Sequence, residues 1–391
     1  MCTWLDMAVT AANGCSVHTT HLGTTRRQML RGSVVSLASL ACPPQTWAAS
    51  SGVIAGAIRW DAWYSRSGSS IAAQDDIAYK KFQYRAPAHC KVLSEEALTC
   101  VGSQEVMDRE IELAARAGIK FWAFVWYGPE SSLHAAWNLY QSSSLRNNVN
   151  WCGIVSPSSM GSIPFENGKW RENIQQWADY MAAPNYQKVS AEGSTKRPLL
   201  FLLWDVNQVK NFFGDLANMG MAASFLRERV LAAGLGPPYI VILHGAEGAQ
   251  AASAIGAQAI SSYIPRLTPK PAGTYKDLDE QTRAYWTTLQ STGKPIVPIA
   301  MVGWDTRPRQ EHPGPFSTIQ NPERYYALPS TSELATHISA AVHFIQSNPG
   351  ACPSRVLLIY SWDECDEGGG LIPTLGDPAG SYLSAIAPTI R

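Results

Sequence analysis

The strongest constraint on the fold of this chain is a repeated alternation between two kinds of segment. Short runs of β-branched and aromatic residues end in loops, and longer segments rich in Ala, Leu, Glu and Arg with helical spacing follow them. About eight such strand-then-helix units lie between residue 53 and the C-terminus. Eight parallel units of this kind close naturally into a barrel. The pattern therefore predicts a single α/β domain with the architecture of a (β/α)8 TIM barrel.

The bounds of the predicted elements follow from the apolar periodicity. The strands are 53–59, 120–126, 149–155, 198–204, 239–244, 257–263, 295–302 and 356–360. The helices are 104–117, 132–146, 170–183, 216–233, 246–255, 277–292, 332–346 and 380–386. A doubly wound open sheet is the alternative architecture. It is disfavoured because no strand is followed by a G-x-G-x-x-G or G-x-x-x-x-G-K-[ST] sequence.

The first 50 residues lack this alternation and are typical of an export signal. Two adjacent arginines, Arg26 and Arg27, precede an apolar stretch and then a small-residue region that ends near residue 50. This is the order of n-region, h-region and cleavage site, and the paired arginines are similar to a twin-arginine signal. A basic N-terminal arm is the alternative, but the apolar run fits it poorly. We expect removal of residues 1–50, leaving the barrel, residues 51–391, in the periplasm or outside the cell.

Export changes how the cysteines are interpreted, because oxidising compartments favour disulfides. Cys42 follows Leu40 and Ala41, so anchoring as a lipoprotein is a minor alternative to simple cleavage. Cys90 and Cys100 flank one short loop, a spacing compatible with a bridge. The odd number of cysteines after residue 50 leaves at least one free thiol. No C-x-x-C pair exists, so a zinc knuckle is not expected.

The composition excludes two classes of partner. Lys and Arg number 31 and Asp and Glu number 31, and this zero formal charge argues against nucleic acid, which needs a basic surface. No apolar run reaches the roughly 18 residues of a membrane span. The 14 Trp and 15 Tyr are numerous enough to supply both a core and a surface that stacks on sugar rings. We expect a monomer whose partner is a polysaccharide or oligosaccharide.

Polar and aromatic residues follow the predicted strands, and in a barrel of this kind the chemistry lies on the loops after the strands. The candidate substrate-binding residues on that rim are Trp60, Asp61, Trp63, Tyr64, Trp126, Tyr127, His244, Tyr263, Trp304, Asp305, Arg307, Arg309, Trp362 and Asp363. Such a rim suits a polyhydroxylated ligand. The alternatives are that the tryptophans plug the barrel, that Arg309 pairs with Asp305 to shape its loop, and that His244 is an ordinary hydrogen-bonded histidine.

Four carboxylates crowd the loop after the last predicted strand: Asp363, Glu364, Asp366 and Glu367. Cleaving a glycosidic bond needs two carboxyl groups, and like charges in a cleft raise the pKa of one of them. A solvated acidic loop or a calcium site is the alternative. The sequence has no G-x-S-x-G and no H-E-x-x-H, which disfavours serine and metal hydrolases. We expect Glu364 and Glu367 to be catalytic, with no metal and no cofactor.

Four motifs together resemble the glycoside hydrolase family 99-like group, also called WbsX-like. They are Glu110-Ile-Glu-Leu-Ala-Ala-Arg-Ala-Gly-Ile, Phe124-Val-Trp-Tyr, Gly303-Trp-Asp-Thr-Arg-Pro-Arg and Tyr360-Ser-Trp-Asp-Glu-Cys-Asp-Glu-Gly-Gly. Their order spans essentially the whole chain after residue 50. The resemblance implies a (β/α)8 barrel that acts on α-linked, often mannose-containing, polysaccharides or glycans.

The resemblance also implies a retaining reaction without a conventional nucleophile. Glu364 and Glu367 match the two glutamates of a Trp-Asn-Glu-x-x-Glu pattern. By this match Glu364 takes the proton of the sugar 2-hydroxyl, which closes an internal epoxide, and Glu367 is the general acid and then the base for water. This chain departs from the group at Asp363, where the group has a neutral Asn, and at Thr306, where it usually has Asn.

These observations predict an exported glycoside hydrolase that cleaves an α-linked polysaccharide at internal bonds. The main alternative is a non-hydrolytic carbohydrate-binding or exopolysaccharide-assembly protein, which the aromatic rim suits equally well. A third class is a lyase of uronic-acid polymers, which would direct Arg307 or Arg309 at the substrate carboxylate.

Overall fold

The computed structural model describes residues 52–162, 165–191, 196–311 and 321–391. The twin-arginine-type signal predicted at 1–50, its cleavage site and the alternative anchor at Cys42 lie outside the described residues. No helix in the described part of the chain is both long enough and apolar enough to cross a membrane.

Eight parallel strands form the centre of the fold and confirm the predicted barrel. The strands of the described residues are β1 (Ile54–Arg59), β2 (Lys91–Ser94), β3 (Ala97–Thr99), β4 (Phe121–Val125), β5 (Asn150–Val155), β6 (Lys188–Val189), β7 (Arg197–Leu203), β8 (Tyr239–Leu243), β9 (Ala259–Ser261), β10 (Ile299–Met301) and β11 (Val356–Tyr360). Of these, β2 and β3 form a separate antiparallel hairpin, β6 pairs antiparallel with β7, and the other eight form the barrel. The barrel order is β10-β11-β1-β4-β5-β7-β8-β9. Ile260 closes the remaining gap, because its N–H donates to Pro295 and its carbonyl accepts from Val297, both at 3.0 Å.

Helices lie between the barrel strands and cover their outer side. They are α1 (Ser69–Asp76), α2 (Gln104–Ala117), α3 (Ala135–Ser142), α4 (Pro157–Met160), α5 (Trp170–Ala182), α6 (Val206–Phe213), α7 (Leu216–Ala232), α8 (Gly248–Ile255), α9 (Tyr275–Gln290), α10 (Arg307–Glu311), α11 (Thr331–Ser347) and α12 (Ser381–Ile390). The pattern missed α1, α4, α6 and α10, which are short helices within the loops that follow strands. These insertions matter because such loops carry the chemistry of this fold.

Helix α2 shows why the periodicity succeeded where its signals were complete. Ser103 caps the helix by accepting a hydrogen bond from the Val106 N–H at 3.3 Å. Gly118 ends it in the left-handed conformation at φ 97°, which favours glycine. The apolar face of α2 is fully buried through Met107 and Ile111. Capping, termination and amphipathic spacing therefore all point to the same helix.

Several predicted elements are shorter in the structure, and for two of them the local reason is clear. The helix predicted at 132–146 stops at Ser142, since the next residue, Ser143, accepts a hydrogen bond from the Leu145 N–H at 3.0 Å and so turns the chain. The strand predicted at 295–302 reduces to β10. Pro295 and Pro298 precede β10 and have no N–H to donate to a strand ladder.

The long segment after β1 folds over the barrel mouth and contains the disulfide. Cys90 pairs with Cys100 and thereby closes the β2–β3 hairpin at its base. Of the cysteines the structure describes, Cys152, Cys352 and Cys365 remain as free, buried thiols. The structure thus confirms the spacing-based expectation for the bridge.

Candidate active site

The loop that follows β11 brings two glutamates to the mouth of the barrel. The Trp362 N–H donates to the Ile58 carbonyl at 2.7 Å, which ties the loop to the neighbouring β1. A turn of 3-10 helix, Cys365–Glu367, then places Glu364 and Glu367 beside each other, each only 4% exposed. Gly368 ends the turn at φ 72°, where a glycine is favoured. The two candidate catalytic side chains are therefore presented by a tightly fixed loop.

Glu364 is held by one phenol and approached by one cation. Tyr263, at the end of β9, donates from Oη to Glu364 Oε1 at 2.6 Å. Arg309 Nη2 lies 3.6 Å from Glu364 Oε2. Burial, reinforced by Asp366, raises the pKa of Glu364 to about 7, although Arg309 and Tyr263 oppose the rise. Glu364 is thus poised to exchange a proton near neutral pH.

Both carboxylate oxygens of Glu367 have a partner in the protein. Arg309 Nη1 pairs with Oε1, and the Tyr360 hydroxyl donates to Oε2. Arg309 also pairs through Nε with Asp366 Oδ2 at 2.6 Å. One buried guanidinium is therefore shared among Glu364, Asp366 and Glu367. Because Arg309 makes these contacts, it does not form the pair with Asp305 that the sequence left open.

Asp305 is neutralised by two other arginines. Arg307 donates to both of its oxygens, from Nε at 2.8 Å and from Nη2 at 2.6 Å, and Arg85 pairs with Oδ2. Although burial opposes it, Arg307 and Arg85 hold the pKa of Asp305 below its usual value. The Arg307 guanidinium carbon also lies 3.6 Å from the centre of the Tyr325 ring. Asp305 and Arg307 thus shape the loop after β10.

Several residues predicted to bind substrate form the floor of the site instead. Trp63 and Trp362 are fully buried, and Asp61 and Tyr64 are 3% exposed. The Trp63 indole donates to the Asp363 carbonyl at 2.7 Å. These side chains are therefore shielded from solvent, which agrees with the alternative that the tryptophans plug the barrel.

A buried ion-pair network completes that floor. Arg59, the last residue of β1, pairs with Asp61 at 2.7 Å and with Glu110 at 3.0 Å. Glu110 accepts further hydrogen bonds from the Tyr64 hydroxyl and, at 2.8 Å, from the Trp362 indole. The network links α2 to the loops after β1 and β11.

Partly exposed side chains form the rim above this floor. Tyr127, Tyr263, Trp304 and His244 are half-buried at the ends of their strands. The buried Trp60 donates from its indole to the Tyr127 hydroxyl at 2.7 Å, which fixes that ring. Exposed ring faces on this rim are suited to stacking on sugar rings. His244 makes no described hydrogen bond to the carboxylates.

Trp126 is not brought to the carboxylates. Its ring is 8% exposed and contacts the rings of Trp137, Trp151, Trp177 and Tyr180. This aromatic cluster fills the space between the barrel and helices α3 and α5. The described contacts of Trp126 are therefore those of a core residue.

Sequence reasoning missed four charged residues of the site: Arg59, Asp76, Arg85 and Glu110. Arg59 and Glu110 carried a usable signal, since each is a charged residue on an otherwise apolar face. Asp76 and Arg85 lie in the long segment after β1, where nothing in the pattern marks them. Asp76 is nevertheless buried, and burial together with Asp366 raises its pKa to about 8.

The charged groups of the candidate active site are carboxylates paired with arginines. Within the described ranges, no three His, Cys, Asp or Glu side chains are placed so that they could hold a metal ion. The acidic residues of the β11 loop contact guanidinium, phenol and indole groups. Chemically, the site offers two adjacent carboxyl groups that can donate and accept protons.

Glu364→Gln is expected to change how stability depends on pH. A carboxyl pKa raised to about 7 in the folded protein, against about 4.5 unfolded, stabilises the fold below pH 4.5, and this contribution is lost as pH rises through 7. Glutamine avoids the loss, so the unfolding free energy of the variant relative to wild type should rise by about 1–3 kcal/mol between pH 5 and pH 8. Urea denaturation at both pH values measures it.

Glu96→Gln, a change at an exposed position in the β2–β3 turn, provides the control for that experiment. It should leave the pH dependence of stability as in the wild type. If the difference in unfolding free energy between Glu364→Gln and the wild type is the same at pH 5 and pH 8, the pKa of this glutamate is not raised.

Comparison with known proteins identifies the same architecture. No protein-family model and no curated protein matches the sequence. Among solved structures, the GH99 endo-alpha-mannosidase from Bacteroides thetaiotaomicron matches with a TM-score of 0.51 and 14% identity, over 86% of this chain and 94% of that chain. A second structure of that enzyme matches with a TM-score of 0.50 and 15% identity, over 86% and 95%. At this identity the likeness establishes the shared fold.

Proposed function

We propose that this chain is a glycoside hydrolase whose catalytic residues are Glu364 and Glu367. The observation that carries the proposal is the pair of nearly buried carboxyl groups, three positions apart on the loop after the last barrel strand, in two different environments. Glu364 is held by Tyr263 and Glu367 by Arg309 and Tyr360. Cleavage of a glycosidic bond requires two carboxyl groups, one to donate a proton and one to act as a base or nucleophile.

Glu364 suits the role of base toward a sugar hydroxyl. A carboxylate whose pKa is about 7 accepts a proton more readily than an ordinary glutamate does, and it is still partly ionised at neutral pH. The hydrogen bond from Tyr263 to Oε1 leaves Oε2 on the side of Arg309. In an α-mannoside the 2-hydroxyl is trans-diaxial to the leaving group, so the deprotonated oxygen attacks from the back face and retains configuration through an internal epoxide.

Glu367 suits the complementary role of general acid and then base. To donate a proton it must first take one up, which its pairing with Arg309 opposes in the free protein. Arg309 is not left without a counterion when this happens, because Asp366 stays bound to its Nε at 2.6 Å. The shared arginine therefore lets the charge of Glu367 change without leaving a buried cation unpaired.

The substrate we propose is an α-linked, mannose-containing polysaccharide or glycan cleaved at internal bonds. The half-buried aromatic rings of Tyr127, Tyr263 and Trp304 support sugar binding at the barrel mouth. The solved structure with the same fold carries the description endo-alpha-mannosidase, which is consistent with this choice. We also propose export, on the grounds of the paired arginines in the first 50 residues.

A lyase that acts on uronic-acid polymers is disfavoured by one specific observation. Both arginines proposed to meet a substrate carboxylate are already engaged by carboxylates of the protein. Arg307 is bound at two atoms by Asp305, and Arg309 by the three acidic residues of the β11 loop. Neither is free to bind a uronate.

The test is incubation of residues 51–391 with mannose-, glucose- and uronate-containing polysaccharides, with products analysed by mass spectrometry. Glu367→Gln is run beside the wild type. Oligosaccharides released by the wild type alone would support the hydrolase and identify its polymer. Binding to one polymer with no release by the wild type would instead favour the binding or assembly function.

A further inference from the structure

Asp363 lies on the floor of the site, next in sequence to Glu364, and is fully buried. Its Oδ1 accepts a hydrogen bond from the Trp60 N–H at 2.9 Å. Its Oδ2 is also buried but receives no hydrogen bond from any N–H or O–H group of the described residues. A buried ionised oxygen without a donor is strongly unfavourable. An ionised Asp363 would therefore leave Oδ2 buried without a hydrogen-bond donor.

Asp61 follows Trp60 directly in sequence, and its carboxyl group lies close enough to that of Asp363 for a hydrogen bond to form between the two. Such a bond forms only when one of the two carboxyl groups carries a proton. Asp61 is already paired with Arg59, from Nε at 2.8 Å and from Nη2 at 2.7 Å. Pairing with arginine favours the ionised form, so the proton belongs on Asp363.

The surrounding charges lead to the same assignment. The titratable and charged groups that face the pair are Arg59 on β1, Tyr64 in the loop after β1, Glu110 on α2, Tyr360 on β11, and Glu364 and Cys365 in the loop after β11. Arg59 also forms an ion pair with Glu110, with Nη1 3.0 Å from Oε2. One cation thus already balances two carboxylates. Burial and Asp61 accordingly raise the pKa of Asp363 well above its usual value.

We propose that Asp363 is held as a neutral carboxylic acid whose Oδ2–H donates a hydrogen bond to Asp61, and that it acts as a positioning residue for the catalytic loop. A protonated carboxyl group offers one donor and one acceptor, as a side-chain amide does. It can therefore accept the hydrogen bond from the Trp60 N–H at Oδ1 and donate one from Oδ2. The departure at this position adds no third negative charge.

Infrared difference spectroscopy of the whole protein at pH 7 tests the protonation state. Subtracting the spectrum of Asp363→Asn from that of the wild type should reveal the carbonyl stretch of one protonated carboxyl group. Asp277→Asn is the matched control, because Asp277 is a carboxylate whose pKa Lys270 holds below the usual range. It should remove only an ionised carboxylate band. A difference spectrum of Asp363→Asn that shows only an ionised band would overturn the proposal.

The rate of oligosaccharide release tests the positioning role. This role rests on the proposed function, whereas the protonation state tested by infrared spectroscopy does not. Asp363→Leu removes the donor and the acceptor and should lower kcat by about 100-fold, since small misplacements of a catalytic group have such effects. The kcat of Asp363→Asn should be at least about tenfold higher than that of Asp363→Leu, because the amide restores both a donor and an acceptor. Equal impairment of the two variants would overturn the positioning role even if the infrared band is present. Thermal unfolding of both variants separates this outcome from a loss of fold.

Discussion

Replacing Glu367 with glutamine is expected to lower kcat on the natural polymer by about 10²–10⁴-fold, the usual range for removing a general acid–base group. Glutamine has nearly the same shape and can still accept the hydrogen bond from Tyr360, so the fold should persist. Glu364→Gln should reduce turnover comparably, because an amide cannot deprotonate the 2-hydroxyl. The measurement is the initial rate of oligosaccharide release, with circular dichroism to verify the fold.

The two glutamates should differ on an activated substrate. A leaving group such as fluoride departs without a proton, so the first step no longer needs Glu367 but still needs Glu364.

Glu112→Gln, at a solvent-exposed position on α2, makes the same chemical change away from the site and should keep the wild-type rate. If either site variant retains a near wild-type rate on the natural polymer, the catalytic assignment is wrong.

Replacing Arg309 with methionine is expected to lower the unfolding free energy by about 3–5 kcal/mol at pH 8, the usual effect of removing one partner from a buried ion pair. Three acidic side chains, Glu364, Asp366 and Glu367, would lose their shared cation. Because Arg309 lowers the pKa of Glu364 in the wild type, Glu364 would then bind its proton more tightly in the folded state. A folded-state carboxyl pKa above the unfolded value gives stability that is lost as pH rises through it. The deficit should therefore be smaller at pH 5.

The control for this experiment is Arg116→Met on α2. Arg116 is solvent-exposed and lies 3.9 Å from Glu112, and such surface pairs contribute little to stability. Urea denaturation of both variants at pH 5 and pH 8 gives the comparison. A deficit for Arg309→Met that is small, or that does not depend on pH, would contradict a central role for this guanidinium in holding the acidic loop.

The barrel could be predicted because its signals are local. Helix α2 has a cap, a terminating glycine and an apolar face within 16 residues of sequence, Ser103 to Gly118. The acidic loop could be found for a similar reason, since its carboxylates are neighbours in sequence. What the sequence could not show is how these carboxylates are partnered. Arg309 lies more than 50 positions before Glu367, and only the fold brings the two together.

The orientation of side chains at the strand ends was equally beyond the sequence. Trp126 and Tyr127 are adjacent residues just after β4, yet the ring of Trp126 packs among the helices whereas the hydroxyl of Tyr127 accepts a hydrogen bond from Trp60 at the barrel mouth. The residues of the long segment after β1, including Asp76 and Arg85, gave no periodic signal. Their roles depend on where that segment crosses the mouth.

The pairing of β1 with β11, the first and last barrel strands, determines when during synthesis the site can exist. Ile54 lies opposite Val356 in register, and the Trp60 N–H reaches Asp363 across 303 positions of sequence. Closing so long a loop costs chain entropy that only the completed barrel repays. A nascent chain still lacking its last 40 or so residues has neither glutamate nor the strand that orients them. The cleavage activity that we propose would therefore require that the two ends of the barrel have met.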